Sequence, residues 1–169
     1  MKITQEQVEK VAIDHYGVVP PMVKQMYNVS PAVAFHYIVG VTALSDSGFS
    51  SLEQQAIQLR VSSLNNCESC MKGHSFLLKN AGMSEDDIAA IRGGLSTSDQ
   101  KIDRLVGITS LVFTGGRTGF DGVIEKLESL KASKQEIFEI ISLMASKTIS
   151  NYINNYSQSV KQNLQPLNQ

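Results

Sequence analysis

The chain has 169 residues and a mass of 18.5 kDa, and its 42% hydrophobic content can fill one core of ordinary size without disulfide staples. Fifteen basic residues against sixteen acidic ones give a formal net charge of -1, with no block of either sign to suggest nucleic acid or an anionic membrane as partner. The opening stretch Met1–Gln7 is polar, and the most apolar window, Pro31 to Leu44, falls short of the ~20 residues that span a bilayer, so a cytoplasmic protein without a membrane segment is expected.

Helical periodicity dominates, and convincing alternating runs with tight hairpin turns are lacking. The pattern predicts a helix over about 4–15, a short one after Pro20–Pro21, and a longer apolar one opening near Pro31, a residue favoured in a first helical turn. Ser45 to Phe49 then breaks the chain. Ser50-Ser51-Leu52-Glu53 reads as a capping box that opens a helix to about Leu64. Asn65–Asn66 is a stop and restart that puts Cys67 in the first turn of the next helix, with Gly82 as its left-handed cap.

Ser84 caps a short helix ending at Gly93–Gly94. Ile102, Leu105, Val106, Ile108, Thr109 and Val112 mark another, over about 97–113, ended by Gly115–Gly116 and a loop through Gly119. A short helix near 121–131 precedes a long one over about 133–161, whose expected inward stripe is Ile137, Ile140, Ile141, Met144, Ile149 and Ile153. The expectation is one all-α domain, 1–169, with a motif-bearing core at about 50–95.

The chain's two cysteines, Cys67 and Cys70, lie in the segment N-N-C-E-S-C-M-K-G-H with His74 four residues on. At about 100° per residue, helical positions 67, 70 and 74 share one face, so two thiols and a proton carrier converge. A lone C-x-x-C in a reducing compartment is expected as thiols at rest, for redox catalysis or metal binding. A thiol attacks peroxides or disulfides as its thiolate, so the ordinary thiol pKa, about 8.5, must fall. The helix start offers roughly 0.3–1 kcal/mol towards this; His74 is the stronger lever, taking the proton and returning it to the leaving group. The gap between the sulfurs suits a cycle of thiol, sulfenic acid and internal disulfide.

The stretch from Leu52 to Gly93 includes L-R-V-S-S-L-N-N-C-E-S-C-M-K-G-H and A-G-M-S-E-D-D-I-A-A-I-R-G-G. In this extent it resembles the alkylhydroperoxidase D and carboxymuconolactone decarboxylase family. The resemblance implies an all-helical fold of about six to eight helices, assembled as a ring (homotrimer or hexamer), and an antioxidant peroxidase acting on a small hydroperoxide. It also implies Cys70 as peroxide-attacking thiol, Cys67 as resolving thiol and proton donor, and His74 as proton relay. No bound cofactor is implied; electrons come from a lipoyl-type dithiol on a partner protein, and a companion peroxiredoxin is a further implied partner.

One departure stands out. Where the alkylhydroperoxidase D members carry a glutamate, twelve residues before the first cysteine, this chain has Gln55, which can orient an imidazole but cannot take its proton. A second motif histidine is replaced by Glu68–Ser69, leaving Glu68 as an auxiliary proton carrier.

Zinc is the competing reading of the cysteine pair, but Cys67, Cys70 and His74 supply three ligands and no further pair completes a tetrahedron. Glu53 reads as a helix cap, His36 as a core or interface histidine, Gly115–Gly119 as a plain turn, and the asparagine-rich stretch 151–156 as a polar face at a subunit contact. The rival functions are a decarboxylase or lactone-handling enzyme on the same fold, and a redox-sensing oligomer without turnover.

Overall fold

The computed structural model describes residues 2–164, and side chains through residue 161. These residues form two compact units that divide between Ser47 and Gly48. The motif-bearing core expected at about 50–95 lies in the second.

In the first unit, α1 (Gln5–Tyr16) opens on a reciprocal cap, with the Gln7 N–H donating to Thr4 Oγ1 and the Thr4 N–H to Gln7 Oε1. α2 (Pro21–Val29) and α3 (Pro31–Ala43) each begin on a proline, whose missing N–H costs nothing in a first turn. The three helices bury Val8, Ala12, Val23, Met26, Ala34 and Ile38. His36 lies exposed on α3, which removes the core half of the core-or-interface expectation.

The second unit is built around α4 (Ser51–Leu64), against which α5 (Glu68–Asn80), α6 (Glu85–Gly93), α7 (Gln100–Thr118) and α9 (Lys134–Leu164) all pack. Ala56, Leu59, Met71, Leu78, Ile88, Ile91, Ile102 and Val106 close its core. The Ser50–Glu53 capping box is present, and the buried Glu53 carboxylate also pairs with Lys101 Nζ at 2.5 Å. Burial alone would raise this carboxyl's pKa, but the hydrogen bonds from Lys101 and Ser50 carry it below the ordinary value.

Nine α-helices stand among the described residues, one more than the upper expectation, joined by a 3-10 turn at Leu44–Asp46. α7 runs through Gly115–Gly116 and ends at Gly119, which takes φ 94. The glycine pair therefore does not stop the helix. A Cβ on Gly115 would lie 2.8 Å from Phe120 Cδ1, so the bare backbone there lets the following turn close onto the helix. α8 (Ile124–Ser129) is shorter than the expected 121–131.

α9 departs most from the apolar reading. Its buried row is Ile140, Leu143, Lys147, Ser150 and Asn151, while Ile141 is exposed. The row keeps helical spacing but turns polar half-way along, and that polar half faces the cysteine segment.

Candidate active site

α4 ends at Leu64, and the reversal that follows is built from asparagines. Asn66 takes φ 52, a left-handed conformation that asparagine tolerates better than most residues. The Cys67 N–H then reaches back to the Ser62 carbonyl at 2.9 Å. Cys67 is consequently the residue before the helix (φ -97, ψ 89), and α5 begins at Glu68. This corrects the expected placing of Cys67 in the first turn: the chain is still reversing when it reaches the sulfur.

The sulfurs converge nonetheless. Cys67 and Cys70 form a disulfide with their Cα atoms 5.3 Å apart, the bonded member of the expected cycle. Cys67 is fully buried, Cys70 is 6% exposed and His74, one turn after Cys70, is 9% exposed. Sulfur acceptance differs too: Asn154 Nδ2 of α9 donates to Cys70 Sγ at 3.2 Å, whereas Cys67 Sγ has the Ser69 hydroxyl at 3.7 Å.

Gln55 on α4 meets His74, its Oε1 lying 2.7 Å from Nδ1. With the amide oxygen accepting, Nδ1 carries the ring proton and Nε2 keeps a free lone pair. Burial, reinforced by the nearby positive charge of Lys147, pushes the imidazole well below its usual pKa and keeps it neutral. Glu68 is not brought in. Its side chain is two-thirds exposed and faces Arg92 at 4.0 Å, because the first residue of α5 points out of the bundle.

Sequence reasoning missed the α9 side of this site. Asn65 Nδ2 donates to Thr148 Oγ1 and to Asn151 Oδ1, each at 3.1 Å. Asn151 Nδ2 continues to Ser62 Oγ at 3.3 Å, and Asn155 Nδ2 bonds the Asn65 carbonyl at 3.0 Å. These bonds tie the reversal before Cys67 to α9, and Asn151 is fully buried. The asparagines expected at a subunit contact thus include the clamp on the cysteine loop. The available signal was the spacing of Lys147, Asn151 and Asn154 at i, i+4 and i+7.

A cavity of about 390 Å³ opens beside the clamp, its wall including Asn65, Arg117, Met144, Thr148 and Tyr152. Its lining does not include Cys67, Cys70 or His74, so the expected small apolar pocket over the sulfurs is not this one. Among the described residues, no group of three or more histidine, cysteine, aspartate or glutamate side chains is placed to hold a metal ion. No helix among them is long and apolar enough to cross a membrane.

Residues 38–100, which hold α4, the cysteine reversal, α5 and α6, match the model of the carboxymuconolactone decarboxylase family. That segment is similar to the carboxymuconolactone decarboxylase family. Beyond the family segment, the fold is similar to a crystal structure of a protein of unknown function from Agrobacterium tumefaciens, there proposed to be the antioxidant defence protein AhpD. The two share 23% identity over 75% of this chain and 88% of the other, with a TM-score of 0.63. The fold is therefore all-α and AhpD-like. No curated protein matches the chain significantly.

Proposed function

We propose that this protein is an antioxidant thiol peroxidase that reduces small hydroperoxides through Cys70 and Cys67. The observation that carries the reading is the asymmetry of the pair: Cys70 is the sulfur with measurable exposure, an amide donor at 3.2 Å and an imidazole one turn away. Such surroundings favour a thiolate.

In the first step the Cys70 thiolate attacks the terminal peroxide oxygen; the O–O bond breaks, and the departing alkoxide takes a proton to leave as alcohol. The sulfenic acid then condenses with the Cys67 thiol, forming the S–S bond and releasing water. A dithiol of the lipoyl type on a partner protein reduces the disulfide and is itself oxidised to a disulfide; a companion peroxiredoxin is a further partner, re-reduced by the Cys67/Cys70 dithiol. We place this cycle in the cytoplasm, in a homotrimer or hexamer.

The decisive assay is steady-state hydroperoxide consumption by the full chain with dihydrolipoamide as reductant. Sustained turnover that is lost in Cys70→Ser is the expected result, together with a trapped sulfenic acid on Cys70 in Cys67→Ser. A single stoichiometric oxidation favours a redox sensor instead. The family name also raises a decarboxylase, for which full decarboxylase activity in a Cys67→Ser/Cys70→Ser double variant is the distinguishing result.

A further inference from the structure

Lys147 is the one ionisable group in the polar row of α9, buried two turns before Asn154, the residue whose amide reaches the Cys70 sulfur. Spacing of seven puts both on the same side of the helix. Among the described residues no carboxylate pairs with Lys147, although a buried ammonium ordinarily needs such a partner. Burial alone pushes its pKa down to about 8, and its charge acts on His74.

The surrounding charges are engaged elsewhere. On α4, Glu53 pairs with Lys101, and Arg60 donates to the Ser110 hydroxyl and the Arg92 carbonyl. Arg104 of α7 pairs with Glu136 of α9, and on α5 Lys79 pairs with Glu85 while Glu68 faces Arg92. Behind the imidazole stands the neutral amide of Gln55. The site therefore contains one lysine, 9% exposed, with no carboxylate paired to it among the described residues. Reduction of the disulfide gives two thiols, and loss of a proton from one of them supplies an anion.

We infer that Lys147 is a positioning residue of the dithiol site, acting beside His74 as the positive counter-charge that favours a Cys70 thiolate over an imidazolium. This deepens the thiol-redox reading and rests on it. Where a carboxylate behind the histidine would stabilise an imidazolium, this chain has Gln55 and a lysine, which disfavour it and stabilise the sulfur anion instead. The reduced state gains an ion partner that the oxidised state lacks, so Lys147 also makes the disulfide easier to reduce.

The test is iodoacetamide alkylation of the reduced full chain across pH, with mass spectrometry reporting Cys70, in Lys147→Met and Lys147→Arg. Lys147→Met is expected to slow Cys70 alkylation at pH 7 about tenfold and move the rise of the rate to higher pH, while Lys147→Arg keeps most of the wild-type rate. An unchanged profile in Lys147→Met overturns the inference. Equal losses in the two variants also overturn it, since they would report shape and not charge. If Lys147→Met does not fold, Lys147→Gln takes its place, read against the dithiol–disulfide equilibrium with dithiothreitol: a disulfide about tenfold harder to reduce supports the inference, an unchanged equilibrium overturns it. Both readouts are independent of hydroperoxide turnover, so a charge effect without turnover removes the peroxidase reading and leaves Lys147 its role.

Discussion

The Gln55 amide oxygen sits 2.7 Å from His74 Nδ1, so the imidazole is held in one tautomer by a group that cannot relieve it of a proton. Replacing Gln55 with glutamate puts a carboxylate at the same distance. A negative charge that close favours imidazolium, opposing the burial and the Lys147 charge that now keep the ring neutral. The His74 titration midpoint, followed by NMR, should rise by at least one unit in Gln55→Glu, and Cys70 alkylation at pH 7 should speed up several-fold as the ring becomes a better proton acceptor. An unmoved midpoint would show that the contact does not govern the ring's charge.

The Asn154 amide offers a second, separable handle on the same sulfur. Hydrogen bonds to charged groups contribute about 1.5–3 kcal/mol, against roughly 1 kcal/mol for neutral pairs, so the donor at 3.2 Å should stabilise the thiolate more than the thiol. Asn154→Leu is expected to slow Cys70 alkylation at neutral pH about tenfold while leaving Cys67 unaffected. Equal slowing of both cysteines would indicate a general loss of packing.

Lys147 should trade stability for reactivity. Its pKa falls from 10.5 unfolded to about 8 folded, so between these values the unfolded chain binds the proton that the native chain has given up. Stability contributed through this group therefore rises as pH increases from about 8 to 10.5, and below pH 8 the full cost of burying the charge is present. At one pKa unit per 1.36 kcal/mol that cost is about 3 kcal/mol. Lys147→Met, which keeps the aliphatic stem, should raise the urea midpoint at pH 7, with the advantage shrinking by pH 10. Destabilisation at pH 7 would mean that the ammonium has a compensating partner.

Much of this architecture was legible because the helix ends carry their own chemistry. Thr4, Ser50 and Ser84 cap helices through backbone N–H groups, and Gly82 turns left-handed where its lack of a Cβ allowed. The approach of Cys67 to Cys70 was legible in their spacing, whereas the proton-relay roles came from the resemblance. What stayed hidden was polar and inward. A search for apolar periodicity follows isoleucines, so it selected the exposed Ile141 over Leu143 and passed over Lys147 and Asn151. Asn151 is held by partners more than eighty residues away, Asn65 and Ser62, and no local window contains them together. Gly115–Gly116 misled for a related reason: a glycine kept for close packing and one that ends a helix look alike until the neighbour is known.

That glycine pair supplies a direct comparison within one helix. Both residues lie inside α7, where glycine costs about 0.5–1 kcal/mol relative to alanine. A Cβ on Gly116 meets nothing within 4 Å, so Gly116→Ala should recover that amount and raise the thermal midpoint by a few degrees. A Cβ on Gly115 meets Phe120 Cδ1 at 2.8 Å and Val123 Cγ2 at 3.0 Å, and both neighbours belong to the segment folded back on the helix. Phe120 must move for the methyl to fit, and such overpacking costs about 1–3 kcal/mol, which exceeds the gain in propensity. Gly115→Ala is therefore expected to lower the midpoint while Gly116→Ala raises it. Equal stabilisation by the two alanines would mean that the 120–123 turn is not packed against α7 as described.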